Sequence, residues 1–172
     1  DEYKKYEEDI LLEVAKTFES GRLILGNNLK KFENNFSKWI GVRYGIGVGN
    51  GTDAVKIALL ALGIGQGDEV ITVSNTAVPT VSAIVETGAS PVFCDVEDNG
   101  YNISLDLIES LITKKTKAIM IPNLLGNIAD WRKINKISKK YNLYVIEDSA
   151  DTIGYKINKK IVGNCSDIVT SS

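Results

Sequence analysis

The residues best placed to do chemistry are two acids, Asp148 and Asp151, at the end of an apolar run. Leu143-Tyr144-Val145-Ile146 leads into Glu147-Asp148-Ser149-Ala150-Asp151, behind the polar Lys139-Lys140-Tyr141-Asn142. This reads as a buried strand that delivers carboxylates to its C-terminal end, and in parallel α/β sheets the crevice beyond that end is where ligands sit. A partly buried carboxylate there stays ionised beside a positive partner: a metal, a basic side chain, or the protonated ring nitrogen of a pyridine cofactor. The competing reading is an acidic strand end in ordinary water, which is commonplace.

A second stretch offers backbone rather than side chains. In residues 52–62 only Lys56 is polar after the first turn, and Gly47-Val48-Gly49-Asn50-Gly51-Thr52 leads into them. The pattern predicts a helix buried nearly all round, with unpaired N-terminal amides that a ligand reaches across glycine backbone. Such a helix start is an anion site, most naturally for phosphate. Gly49 to Ala54 also satisfies a permissive G-x-G-x-x-A dinucleotide fingerprint. A Rossmann site needs an acid at the end of the next strand, however, and that strand runs into Ser74-Asn75, with Asp68 and Glu69 at its wrong end. No Gly-Lys-Ser or Gly-Lys-Thr follows the loop, which argues against a P-loop nucleotidase.

The elements that must position these residues follow from periodicity. Ile10, Leu11, Val14 and Phe18 recur at helical spacing up to Gly21, and Leu29, Phe32, Phe36 and Trp39 line a second helix, with Asn28 a candidate N-cap and Gly41 past its end. From Val42 the pattern becomes apolar runs at 44–48, 69–73, 91–95, 118–122, 143–146 and around Ile168. Helices are predicted between them at 52–62, 78–86, 105–112 and 131–141, with Gly63 and Gly88 at C-terminal caps. Short runs alternating with helices predict an α/β fold built from βαβ units.

Composition narrows the function. The 172 residues are 44% hydrophobic and 24% charged, as in a soluble globular domain. Basic residues are scattered among acids for a net charge of -2, with no basic patch, so nucleic acid is not an expected partner. No run is apolar for long enough to span a bilayer, and the charged residues 1–9 lack a signal core, so neither membrane insertion nor export is expected. Cys94 and Cys165 stand far apart, which predicts reduced, cytoplasmic thiols. With no histidine, the chain supplies no Ser-His-Asp triad, no Cys-His dyad and no His-based zinc site, and no metal is expected.

Taken together, Gly49-Asn50-Gly51-Thr52-Asp53-Ala54, Gly65-Gln66-Gly67-Asp68-Glu69-Val70-Ile71, Gly88-Ala89-Ser90-Pro91-Val92-Phe93, Thr116-Lys117-Ala118-Ile119 and Val145-Ile146-Glu147-Asp148-Ser149-Ala150 resemble the DegT/StrS family. These are pyridoxal-phosphate enzymes that modify nucleotide-linked keto sugars. The resemblance implies an aspartate-aminotransferase-like (PLP fold type I) large domain, α/β with a mostly parallel sheet flanked by helices and truncated here. Residues 1–41 would be an N-terminal helical segment and 42–172 part of the PLP-binding α/β domain. Gly51, Thr52 and Asp53 match the turn that holds the cofactor phosphate, and Ser172 matches a serine that also binds it. Asp148 matches the acid that pairs with the pyridine nitrogen.

There are departures from the family pattern. Ala77 stands where an aromatic usually stacks on the cofactor ring, and Asn123 replaces a usual histidine. Asp151 stands where the aminotransferases usually carry glutamine; as a cofactor-contacting, catalytic acid it resembles the sugar 3-dehydratase branch, and otherwise it is an acid at a helix start. The sequence stops at Ser172, before the position of the reactive lysine, and Lys56, Lys117 and Lys156 do not match that position.

The expected function is therefore that of an aminotransferase using pyridoxal 5'-phosphate or pyridoxamine 5'-phosphate. It would act on a nucleotide-linked keto sugar with an amino-acid donor, in sugar-nucleotide or polysaccharide biosynthesis, as a cytoplasmic homodimer. The alternatives are a 4-keto-6-deoxy-sugar 3-dehydratase and a non-catalytic relative that binds cofactor or sugar for regulation.

Overall fold

Short apolar runs separated by glycine-stopped helices become the strands of one sheet. The computed structural model describes residues 1–157 and 160–172. In chain order the elements are α1 (Glu2–Glu19), α2 (Asn27–Ile40), α3 (Gly51–Ala61), β1 (Glu69–Val73), α4 (Val78–Glu86), β2 (Ser90–Cys94), α5 (Leu105–Leu111), β3 (Thr116–Pro122), a 3-10 turn (Leu124–Gly126), α6 (Trp131–Tyr141), β4 (Tyr144–Asp148), β5 (Lys156–Ile157), β6 (Lys160–Ile161) and β7 (Ile168–Thr170). They divide into two units, Asp1–Gly47 and Val48–Ser172.

In the first unit, α2 ends where Gly41 turns left-handed at φ 88 and its N–H reaches the carbonyl of Ser37. Phe32 stacks on Phe36 with ring centroids 5.4 Å apart. α1 buries no residue, so Leu11 and Phe18 on its apolar side are exposed. Asn28 does not cap α2: the N-cap is Gly26, and the Asn28 amide donates instead to Thr17 Oγ1 at 3.1 Å, tying the helix to the end of α1. Residues 44–48, predicted as a strand, form none. The chain there runs against α2, with the Gly47 N–H donating to Glu33 Oε1 at 2.9 Å and Tyr44 and Ile46 turned outward. Alternation of apolar residues with glycine mimicked a strand, whereas the glycines serve close approach to a helix.

In the second unit, β2-β1-β3-β4-β7 form a five-stranded sheet, every pair of it parallel. Side-chain alternation sorts the sheet into two cores. Ile71, Val73, Ile119, Ile121 and Val145 face Ile108, Trp131 and Ile134 of α5 and α6. Val70, Ala118, Met120 and Ile146 face Val55 and Leu59 of α3 and Ile84 of α4. α3 was expected to be buried nearly all round, and it is not: Ile57 is 47% and Leu60 52% exposed. A helix on the outside of an open sheet has one face toward the strands, whatever its composition.

A Cβ added at Gly45 would stand 2.7 Å from the Glu33 carbonyl oxygen, closer than real contacts allow and against helix backbone that cannot rotate away. Gly45→Ala is therefore expected to destabilise the N-terminal unit by about 1–3 kcal/mol, the scale of overpacking. Urea unfolding followed by far-UV circular dichroism checks this, and an unchanged midpoint would refute the packing.

Candidate functional site

Strand order brings the ends of β3, β4 and β7 together, because β4 pairs with β3 on one side and with β7 on the other. At that edge Asp148 is in register with Pro122 and with Thr170. Ile146 belongs to the α3/α4 core, and two residues on Asp148 falls on the same face. Its Oδ2 accepts from Thr80 Oγ1 of α4 at 3.1 Å, and its Oδ1 accepts from the Ala150 N–H at 3.4 Å. Thr80 is fully buried and shares a further hydrogen bond with Thr76. Burial raises the Asp148 carboxyl above the usual carboxylate range; the Ala150 amide and the Thr80 hydroxyl oppose that rise, and the negative charge of Asp151 adds to it. No ion pair with Asp148 forms among the described residues.

The start of α3 lies on that same face. Asn50 is its N-cap, with Oδ1 accepting from the Asp53 N–H at 2.9 Å while its amide donates to Asp53 Oδ2 at 2.9 Å. That exchange satisfies Asp53 and leaves the N–H groups of Gly51 and Thr52 without partners among the described residues. A Cβ on Gly51 would stand 2.9 Å from Ser172 Cβ and 3.1 Å from Ser172 Oγ, so residue 51 must be glycine for the serine to approach. The structure thus brings Gly51, Thr52 and Ser172 to one helix start, at its positive end.

The other two predicted residues stand differently. Ala77 is the N-cap residue of α4, exposed, offering one methyl beside the Thr80 turn. Asp151 is exposed, and its Oδ2 accepts from the Leu125 N–H at 3.0 Å. A pocket of about 480 Å³ between Trp131 and Val162 includes none of the predicted residues.

Two groups escaped the sequence reading. Thr80 is one, although a hydroxyl in the apolar Val78 to Val85 helix, which otherwise carries only Ser82, was a signal that something buried needed a donor. The other is Glu147, which is fully buried on the opposite face of β4. Its Oε1 accepts from Ser149 Oγ at 2.8 Å and Asn123 Nδ2 at 2.9 Å, and its Oε2 from Ser166 Oγ at 3.4 Å. Burial raises this carboxyl too, and those donors oppose the rise. The Asn123 side chain is completed by accepting the Ala129 N–H at 3.3 Å.

Residues 4–172 match the DegT/DnrJ/EryC1/StrS aminotransferase family. A dTDP-3-amino-3,4,6-trideoxy-alpha-D-glucose transaminase of Micromonospora megalomicea subsp. nigra is 43% identical over 171 residues, 99% of this chain and 46% of that protein. A pleiotropic regulatory protein of Geobacillus stearothermophilus is 41% identical over 172 residues, 100% of this chain and 46% of that protein. NtdA of Bacillus subtilis, crystallised with bound cofactor PMP, superposes with a TM-score of 0.90 at 36% identity over 96% of this chain and 37% of that one. The chain spans less than half the length of each of these relatives. By the match over nearly its whole length, this chain belongs to the DegT/DnrJ/EryC1/StrS aminotransferase family.

Proposed function

We propose that the chain is the cofactor-binding part of an aminotransferase that uses pyridoxal 5'-phosphate, or its amine form, to transfer an amino group from an amino acid to a nucleotide-linked keto sugar. The observation that carries this reading is the pairing, on one face and at one sheet end, of a free helix start beside Ser172 with a half-buried acid that has no cation partner among the described residues. The first fits a phosphate and the second a protonated pyridine nitrogen. A dinucleotide would find no acid at the end of β1, which continues into Ser74 and Asn75.

The residues divide the work by their chemistry. The amides of Gly51 and Thr52 and the Ser172 hydroxyl would hold the phosphate against the α3 dipole. Asp53 contributes through the Asn50 cap, which fixes the turn. Asp148 would hold a proton on the ring nitrogen, and Thr80 aims its Oδ2. When bound, the protonated pyridine ring serves as an electron sink for the carbon that carries the migrating amino group. Ala77, at the start of α4, leaves the space of a stacking ring open. The reading extends to a cytoplasmic homodimer with sites completed at the subunit interface, acting in sugar-nucleotide or polysaccharide biosynthesis; in support, no helix among the described residues is long and apolar enough to cross a membrane. The resemblance to a pleiotropic regulatory protein favours, as the second reading, a relative that binds the cofactor without turnover.

Asp148 supplies a pH prediction. Its raised carboxyl holds a proton in the folded state that the unfolded chain has released, so stability falls as pH rises from about 4, the ordinary range, through the folded value. Asp148→Asn removes that loss: without cofactor it is expected to melt above the native protein at about pH 7, with the gap closing toward about pH 4. A lower melting point for Asp148→Asn at neutral pH would show that the carboxylate is already well satisfied.

In the full-length protein, pyridoxal phosphate should produce a cofactor absorbance band, and Asp148→Asn should cut turnover by about a hundredfold while weakening cofactor binding far less. Near-normal turnover would reduce Asp148 to a solvated acid, and tight NAD binding with no cofactor band would sink the proposal. Ser172→Ala should weaken cofactor affinity about tenfold, the worth of one hydrogen bond to a charged group. Titration of the absorbance band measures it, and an unchanged affinity would remove Ser172 from the phosphate site.

A further inference from the structure

Glu147 is a fully buried acid with no place in the proposed chemistry. Its side chain lies on the face of β4 turned away from Asp148, so it does not meet a group bound beside that acid. Yet it collects donors from three separate places. Oε1 accepts from Asn123 Nδ2, just past β3, at 2.9 Å and from Ser149 Oγ, just past β4, at 2.8 Å. Oε2 accepts from Ser166 Oγ, in the segment that enters β7, at 3.4 Å. No ion pair reaches it among the described residues, so these neutral groups replace the water it lost.

The residues that meet on Glu147 are also the ones that fix Asp148. Asn123 donates its backbone N–H to the Asp148 carbonyl at 3.0 Å, and Ser149 donates its N–H to the Thr170 carbonyl at 2.9 Å. The Thr170 hydroxyl donates to the Glu147 carbonyl at 3.3 Å. Asn123 and Ser149 are thus each tied twice, once through backbone to a neighbouring strand and once through the side chain to Glu147. Thr170 stands two residues before Ser172, so the same links set where β7 delivers that serine. A site that grips a rigid ligand at two points, a ring nitrogen and a phosphate, loses affinity when either point shifts.

We propose that Glu147 is a positioning residue, which fixes the spacing between Asp148 and Ser172 through Asn123, Ser149 and Ser166 without touching cofactor or substrate. The task needs an acceptor oxygen at Oε1, where both close donors converge, and no negative charge. Glutamine supplies the same: its oxygen accepts from Asn123 and Ser149, and its amide donates to Ser166 Oγ, a hydroxyl that accepts as well as donates. Leucine fills similar space but leaves the Asn123 amide and the Ser149 hydroxyl unmet. The role rests on the reading of Asp148 and Ser172 as the cofactor site.

The test titrates the native full-length protein, Glu147→Gln and Glu147→Leu with pyridoxamine 5'-phosphate, which has no aldehyde to bond a lysine, at a temperature where circular dichroism shows each protein folded. Glu147→Gln is expected to keep cofactor affinity within about twofold of native, and folded Glu147→Leu to lose about tenfold. A merely structural role would lower the melting temperature of Glu147→Leu and leave the affinity of its folded form native, which would overturn the proposal. Glu147→Gln weakened as far as Glu147→Leu would overturn it too, because the charge would then be what acts. Should Glu147→Leu not fold, Ser149→Ala decides, since it removes one donor and adds no volume: about a threefold loss of affinity supports the role and native affinity refutes it. A native protein that binds no pyridoxamine phosphate would defeat the proposed function and this role with it, an outcome distinct from native binding that the variants leave unchanged.

Discussion

Glu147 and Asp148 place two carboxyl groups next to each other in sequence, on opposite faces of one buried strand, and no ion pair reaches either among the described residues. Taking a carboxylate out of water is expensive unless opposite charge or several donors replace the solvent. The two acids meet that constraint differently. Glu147 is closed off by three neutral donors, from Asn123, Ser149 and Ser166, and acts as a knot between the ends of β3 and β4 and the segment before β7. Asp148 has one hydroxyl and one long amide contact, on the face that also carries the free start of α3. The open acid is the one that calls for a cation, and the family's pyridine cofactor has one to offer.

The sheet makes this possible by bringing separate parts of the chain to one edge. The order β2-β1-β3-β4-β7 reverses between β1 and β3, and in open α/β sheets such reversals leave a crevice beyond the strand ends. Helix α4 leaves β1 beside that crevice and sends Thr80 toward β4. β7 runs parallel to β4 and carries Ser172 to the first residue of α3. No single segment holds these groups: α3 brings its free amides, α4 Thr80, β4 Asp148 and the segment after β7 Ser172.

The residues that depart from the family pattern each have a defined place in the structure. Asn123, in place of a usual histidine, keeps a donor toward Glu147 and an acceptor toward the Ala129 amide, so the buried network stays satisfied by a neutral side chain. Asp151, in place of a usual glutamine, has an oxygen committed to Leu125. Ala77 leaves the start of α4 without a ring, and Thr80, one turn on, already serves Asp148.

Much of this was legible in the sequence, because local patterns reflect local physics. The glycine stops after α1, α2, α3 and α4 appear as left-handed residues at Gly21, Gly41, Gly63 and Gly88. The apolar run ending in acids became β4, and the glycine loop became the start of α3. Period alone misled at residues 44–48, where glycines that allow approach to α2 looked like alternation in a strand, and at α3, whose composition concealed an open side. Tertiary structure alone decided which groups meet: Thr80 with Asp148, Gly51 with Ser172, Asp151 with Leu125, and Glu147 with Asn123. Those pairings depend on strand order and on which face each side chain takes. A sequence window covers neighbours along the chain, and the burial that raises the two acids exists only once distant segments have closed over them.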